Sequence, residues 1–125
     1  MVSMKKILIV EDIPDNAELV RKIMSARGYE IFHAENAEMG LQMALSEKPD
    51  LILLDLGLPD HDGLTLAGWL RAEPVLGDVP IIAHTAWPPE TASQMAETYG
   101  CNGYIGKPII SIKAFAEKIE SYLNK

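Results

Sequence analysis

Residues 50–55 read DLILLD, four consecutive apolar residues followed directly by a carboxylate. A continuous apolar run of this length is typical of a strand buried on both faces, as in a parallel sheet. Similar runs occupy residues 7–10 and 79–83, a shorter run occupies 103–105, and a weaker, mixed run occupies 30–34. The sequence therefore predicts five short strands.

Amphipathic helical patterns lie between and after these strands. Apolar residues recur at intervals of three and four, which places them on one face of a helix. Asn36 and Ser111 precede two of the patterns as candidate N-caps, and Gly28 and Gly100 follow two others as candidate helix ends. The five predicted stripes are Leu19, Val20, Ile23 and Met24; Ala37, Gly40, Leu41, Ala44 and Leu45; Leu66, Ala67 and Leu70; Ala92, Met95, Ala96 and Tyr99; and Ile112, Phe115, Ala116, Ile119 and Leu123.

The regular alternation of strands and helices predicts the fold class. A (βα)5 order implies right-handed crossovers and a doubly wound, five-stranded parallel sheet of the α/β class, with helices on both faces. The chain has 125 residues and no Pro/Gly/Ser-rich linker, so residues 1–125 are expected to form a single domain. In such sheets, ligands bind beyond the carboxyl ends of the strands, where the strand order reverses.

Composition excludes several classes of function. The net charge of −7 disfavours binding to nucleic acid or to an anionic membrane surface. Cys101 is the only cysteine, which excludes an internal disulfide and a cysteine-based zinc site. No apolar run approaches the length of a signal-peptide core or a membrane span. We therefore expect a cytoplasmic protein without nucleic-acid or membrane partners.

Chemically reactive side chains occupy the predicted strand ends. Because the carboxyl ends of parallel strands meet at one edge of a sheet, these side chains are expected to converge there. They comprise three carboxylates, one hydroxyl and one ammonium group, on Glu11, Asp12, Asp55, Thr85 and Lys107.

This set of groups suits phosphoryl transfer. Carboxylates placed close together repel one another, and a hard divalent cation such as Mg2+, which prefers oxygen ligands, relieves the repulsion. Asp55, rigidly placed after its strand, could attack phosphorus and form an aspartyl phosphate. Lys107 could then neutralise phosphoryl oxygens, and the Thr85 hydroxyl could donate a hydrogen bond to one of them.

Five segments resemble, in order and spacing, the motifs of response-regulator receiver domains of two-component signalling. They are residues 7–12, 50–59, 62–63, 80–86 and 104–108, and the resemblance covers essentially the whole chain. It implies a flavodoxin-like receiver fold. It also implies a signalling switch and not a classical enzyme, since such a domain catalyses only its own phosphoryl transfer and hydrolysis.

The resemblance assigns the phosphorylation and metal site. Asp55 matches the phosphoacceptor of the family. Glu11 and Asp12 match the acidic pair that organises Mg2+, and Asp55 also contacts the metal in this family. Gly57 matches the position whose backbone carbonyl completes the metal site.

The resemblance also assigns the switch. Thr85 matches the hydroxyl that moves toward the phosphoryl group, and Lys107 matches the lysine that pairs with that group. Pro108 matches a proline that follows through a cis peptide bond. Tyr104 matches the aromatic residue that reports the position of Thr85 to the face formed by the fourth helix, fifth strand and fifth helix.

The implied phosphodonor is a histidine kinase or a histidine phosphotransfer protein, and the implied output is binding of a downstream protein. A monomer is expected, with dimerisation on activation left open. The alternative is a phosphorylation-independent receiver-like interaction module. A third class is a small enzyme of the same sheet type. A flavodoxin-like carrier is disfavoured because no Gly/Ser/Thr-rich phosphate loop follows the first strand, and a metal-dependent phosphatase would need a substrate pocket that the sequence does not reveal.

Several residues depart from the family pattern or lack a family role. His84 replaces a common aliphatic residue and is interpreted as a satisfied core residue. His33 and His61 are interpreted as surface residues. Trp87, followed by two prolines, is predicted to lean over the phosphorylation site and to hinder the water that would hydrolyse an acyl phosphate.

Overall fold

The computed structural model describes residues 4–124, which form five strands and five α-helices in alternation, with one short 3₁₀ helix before the fourth strand. The strands are β1 (Lys6–Val10), β2 (Glu30–Ala34), β3 (Leu51–Asp55), β4 (Ile81–Thr85) and β5 (Gly103–Gly106). The helices are α1 (Pro14–Ser25), α2 (Ala37–Glu47), α3 (Gly63–Ala72), α4 (Pro89–Thr98) and α5 (Ile112–Leu123), and the 3₁₀ helix is Pro74–Leu76.

The strands form one parallel sheet in the order β2-β1-β3-β4-β5. The predicted doubly wound, five-stranded parallel sheet is therefore confirmed, and the weak run at residues 30–34 is an edge strand. The strand order reverses between β1 and β3, so the loops that follow these two strands flank the expected ligand-binding crevice.

The sheet separates two apolar cores, because successive strand residues point to opposite faces. Both cores draw on the same strands, which explains why the strands are continuous apolar runs. Leu8, Val10, Ile52, Leu54, Ile81 and Ala83 lie in the core under α2, α3 and α4. Ile7, Ile9, Leu51, Leu53 and Ile82 lie in the core under α1 and α5.

The predicted N-caps are confirmed. The Asn36 side chain accepts a hydrogen bond from the backbone N–H of Met39 at 2.8 Å. The Ser111 hydroxyl accepts one from the backbone N–H of Ala114 at 3.1 Å. Each cap satisfies one of the free N–H groups of the first helical turn, so α2 and α5 begin where the sequence indicates.

The predicted helix stripes are correct at their centres and wrong at their edges. Small residues, Ala17 in α1 and Ala92 in α4, occupy buried positions on the sheet-facing side. Larger apolar residues beside these alanines remain at the surface. The exposed members of the predicted stripes are Leu19, Met95, Tyr99 and Ile112.

A close approach between α3 and the end of β3 depends on Gly63. The N–H of Gly63 donates to the carbonyl of Leu56 at 3.0 Å, and Asp62 caps the helix by accepting from the N–H of Thr65 at 2.8 Å. A Cβ at residue 63 would collide with the Asp55 carbonyl oxygen and would lie 2.7 Å from the Leu56 Cα. Since both contacts are with backbone atoms, neither can yield without moving the strand that holds Asp55.

We expect Gly63→Ala to lower the free energy of unfolding by about 2 kcal/mol, because overpacking against backbone forces the chain to shift. Gly68→Ala is the matched control in the same helix, where an added Cβ meets no atom within 4 Å. That control should raise stability by up to about 1 kcal/mol through helix propensity. Urea denaturation of both variants measures the two effects, and equal stability of the two would contradict the close approach.

Candidate functional site

Three carboxylates converge beyond the carboxyl ends of β1 and β3. One oxygen from each of Glu11, Asp12 and Asp55 lies within 4.8 Å of the other two. Glu11 is buried, and Asp12 and Asp55 are half-buried. The convergence predicted from the strand ends is therefore present in the structure.

The Lys107 ammonium group lies between two of these carboxylates. Its Nζ donates to Glu11 Oε1 at 2.7 Å and lies 3.5 Å from Asp55 Oδ1. The Lys107 backbone N–H donates to the Thr85 carbonyl at 2.8 Å, and the peptide bond to Pro108 is cis. Strand β5 thus delivers one positive charge to the acidic cluster.

Burial controls the electrostatics of Glu11. Loss of solvent raises the pKa of the Glu11 carboxyl, and the neighbouring Asp55 charge raises it further. The hydrogen bond and charge of Lys107 act in the opposite direction but do not cancel the increase. The cluster therefore holds more negative charge than its single ammonium group balances, which is the situation in which a further cation binds favourably.

The loop after β1 is held by hydrogen bonds to Glu11. Glu11 Oε2 accepts from the N–H of Ile13 at 3.2 Å, and the Glu11 carbonyl lies 2.7 Å from His33 Nε2. Because a carbonyl only accepts, Nε2 must be the protonated nitrogen of His33. His33, interpreted from the sequence as a surface residue, is half-buried on the edge strand β2 and holds this loop through its ring.

The loop after β3 is held at both ends. The Gly57 N–H donates to Asp55 Oδ1 at 3.1 Å and fixes the orientation of that carboxylate. The Asp60 carboxylate accepts from the N–H groups of Ala37 at 2.9 Å and Glu38 at 3.1 Å, so it caps α2 from outside that helix. Sequence reasoning missed this role, because nothing in the local pattern connects Asp60 to α2.

Thr85 and Tyr104 have different surroundings. Thr85 is buried, and its Oγ1 accepts a hydrogen bond from the Trp87 N–H at 3.1 Å. Tyr104 is half-buried and packs against the apolar core under α2, α3 and α4, where it is the register partner of Ala83. Trp87 is exposed, and the prediction that its indole shields the site stays a prediction.

His84 is the register partner of Asp55 in the sheet. It is 5% exposed, and its ring centroid lies 5.5 Å from that of Phe115. The interpretation of His84 as a core residue is correct, but its Nε2 has no hydrogen-bond partner among residues 4–124, so it is not satisfied. Burial, assisted by the Lys107 charge, lowers the pKa of His84 to about 4.

The model of the response regulator receiver domain family matches residues 7–120. The chain belongs to this family. Phosphorylation and Mg2+ binding are general properties of its members. A curated relative, the polar-differentiation response regulator DivK of Brucella anthropi, is 40% identical over 119 residues, which cover 95% of this chain and 96% of the relative.

Solved structures agree with this receiver assignment. The chemotaxis protein CheY4 of Vibrio cholerae is 22% identical with a TM-score of 0.90, covering 96% of this chain and 99% of that one, which shows the fold alone. The receiver domain of sensor histidine kinase PA1611 from Pseudomonas aeruginosa is 26% identical with a TM-score of 0.89, covering 98% of this chain and 100% of that one. That structure has a magnesium ion coordinated in its active-site cleft.

These similarities confirm the predicted flavodoxin-like receiver fold and the family. They also agree with a signalling domain and not a classical enzyme. Within residues 4–124, no helix is both long and apolar enough to cross a bilayer.

The depressed pKa of His84 predicts a pH dependence of stability. The folded protein keeps His84 neutral down to about pH 4, whereas an unfolded histidine takes up a proton below about pH 6.5. The contribution of His84 to the free energy of unfolding is therefore fully present above pH 6.5 and is lost as the pH falls toward 4. Between pH 7 and pH 4.5 the loss should be about 2–3 kcal/mol.

Urea denaturation of wild type and His84→Leu at several pH values isolates this contribution. The difference in unfolding free energy between the two proteins should shift in favour of the variant as the pH falls. A difference that stays constant from pH 7 to pH 4.5 would mean that His84 is not held neutral in the fold.

Proposed function

We propose that this receiver domain is a phosphorylation switch that accepts a phosphoryl group on Asp55 in a Mg2+-dependent reaction. The donor is a histidine kinase or a histidine phosphotransfer protein. The observation that supports this most directly is the convergence of Glu11, Asp12 and Asp55 within 4.8 Å, with the Lys107 ammonium group beside them.

The acidic cluster fits a magnesium ion in its donor set. Mg2+ is bound through oxygen atoms, and this site offers three carboxylates with too little positive charge to balance them. We propose that Glu11, Asp12 and Asp55 hold the metal, together with the backbone carbonyl of Gly57. When bound, Mg2+ neutralises charge on the carboxylates and on the incoming phosphoryl group.

The residues of the chain then act by position and charge. An Asp55 carboxylate oxygen forms the new bond to phosphorus as the bond between phosphorus and the donor histidine nitrogen breaks. The Gly57 N–H holds that carboxylate in a fixed orientation. Lys107 offsets the negative charge of the phosphoryl oxygens, so little rearrangement is required of the rigid strand ends.

Thr85 and Tyr104 are proposed to relay the change. The Thr85 hydroxyl accepts from the Trp87 N–H through its oxygen, which leaves its own proton free to donate to a phosphoryl oxygen. A shift of Thr85 would move the loop that begins α4. Tyr104 borders a surface cavity with Ser93 and Glu97 of α4, so we propose that the α4–β5–α5 face binds the downstream protein.

The lifetime of the phosphorylated state is proposed to depend on two neighbouring positions. Gly57 is exposed and has no side chain to exclude water from Asp55. Trp87 has a large indole, which we propose slows hydrolysis. The domain would act as a cytoplasmic monomer made of residues 1–125, with dimerisation on activation left open.

Asp55→Asn should abolish phosphorylation, because the amide lacks the nucleophilic carboxylate oxygen. Intact-mass spectrometry after incubation with acetyl phosphate, with and without Mg2+, measures the adduct directly. Wild type should gain one Mg2+-dependent phosphoryl group and the variant none. Asp78→Asn removes an exposed carboxylate elsewhere on the chain and should behave like wild type.

A folded wild-type protein that gains no adduct would overturn the proposal in favour of a phosphorylation-independent interaction module. An adduct that persists in Asp55→Asn would place the acceptor at another residue. Circular dichroism of each protein, recorded before the reaction, ensures that the comparison is between folded chains.

Asp12→Asn should weaken Mg2+ binding at least about tenfold, because it removes one of three carboxylate charges from the cluster. Asp15→Asn is the matched control, since this exposed carboxylate lies three residues away in the first turn of α1. Isothermal titration with MgCl2 at neutral pH measures both affinities. If Asp12→Asn binds Mg2+ like wild type, Asp12 is not part of the metal site.

A further inference from the structure

A cavity of about 360 Å³ lies beside the acidic cluster, between α1, the end of β4 and the loop that connects β5 to α5. Leu19, Pro108 and Ile109 form apolar parts of its wall, and Asn16, Ala86, Lys107 and His84 complete it. This volume is at the lower end of the range for small-molecule sites. The cavity is therefore large enough for a single-ring organic molecule.

The wall of this cavity contains an unsatisfied polar group. His84 is 5% exposed, and its Nε2 has almost no accessible surface and no hydrogen-bond partner among the described residues. Buried polar groups in native proteins nearly always have a partner, so such a nitrogen requires an explanation. His84 is itself one of the residues that line the cavity, so a ligand there would contact its imidazole ring.

We propose that this cavity binds a small, neutral, hydroxyl-bearing molecule with an apolar ring, whose hydroxyl group hydrogen-bonds to His84. The ring would lie against Leu19, Pro108 and Ile109. This site is separate from phosphorylation of Asp55 and does not require it.

The hydroxyl group follows from the chemistry of a neutral imidazole. Its Nε2 is a donor in one tautomer and an acceptor in the other, and the tautomer depends on its partners. A hydroxyl group both donates and accepts, so it satisfies either tautomer. A carbonyl or an ammonium group would satisfy only one.

The absence of charge on the ligand follows from the neighbouring groups. Lys107, which faces the cavity, would repel a cation. In the metal-free protein its ammonium group pairs with Glu11 at 2.7 Å and lies 3.5 Å from Asp55, and these two carboxylates would repel an anion. Asn16 and Leu19 of α1 line the same cavity, and Phe115 of α5 packs beside the His84 ring; none of the three is charged. A neutral ligand therefore avoids the repulsion that a cation or an anion would meet.

Phenol and toluene are matched probes for this site, because they have similar shapes and differ in the hydroxyl group. Amide and imidazole NMR spectra of the metal-free, unphosphorylated full chain are recorded during titration with each probe. Phenol should produce saturable shifts at His84, Leu19 and Ile109, with a dissociation constant of about 1 mM, a value typical of so small a ligand. It should bind about fivefold more tightly than toluene, the effect of one hydrogen bond.

His84→Leu should remove the preference for phenol while keeping the apolar cavity. His61→Leu is the control, because His61 lies in the loop after β3 and does not line the cavity. It should bind both probes like wild type. Leu19→Ser should weaken both probes together, since it replaces an apolar part of the wall without touching His84.

The proposal is overturned if phenol produces no saturable shifts at the cavity, which would mean that water alone fills it. It is also overturned if wild type binds toluene as tightly as phenol, since the hydroxyl group would then have no partner. The comparison of the two probes on wild type needs no variant, so it remains decisive even if His84→Leu does not fold. Failure of Asp55 phosphorylation would leave this result unaffected, because binding is measured without it.

Discussion

The contact of the Lys107 ammonium group with Glu11 and Asp55 is the interaction around which the site is organised. Without it, two carboxylates from neighbouring strands would face each other at the edge of the sheet with no opposite charge between them. Burial still raises the pKa of Glu11, so one ammonium group offsets only part of the cost. The site is stable enough to form and remains electrostatically incomplete, which is a property expected of a reversible cation-binding site.

The stability of the parallel sheet offsets the free-energy cost of placing these carboxylates close together. The central strands β1, β3 and β4 are buried on both faces, so a packed core fixes the positions of their ends. The carboxylates repel one another, but the packed backbone that carries them cannot move apart. At Gly63, for example, there is no space even for a Cβ beside the Asp55 backbone. The stability of the cores maintains a local arrangement of charge that would not form by itself.

The sequence was sufficient to predict features that depend on strong local patterns. Buried strands are recognised by their apolar runs, and the parallel order then brings Glu11, Asp55 and Lys107 to one edge. Contacts between elements distant in sequence were missed, such as His33 with the Glu11 carbonyl and Asp60 with the start of α2. These contacts are side-chain hydrogen bonds whose partners become neighbours only after the sheet has formed. The exposure of Leu19 was missed for a related reason. Periodicity indicates which face of a helix is apolar, but not how much of that face the rest of the protein covers.

The cap that Asp60 provides to α2 restricts how this protein can vary through evolution. The segment between β3 and α3 must reach the start of α2 with one carboxylate and return to the tight contact at Gly63. An inserted or deleted residue in this segment would break one of these two attachments. Side chains in the segment that make neither contact can be exchanged, whereas a change in its length would displace Asp60 or Gly63. We therefore expect the structure to tolerate substitutions in this loop, and to tolerate insertions and deletions only in other loops.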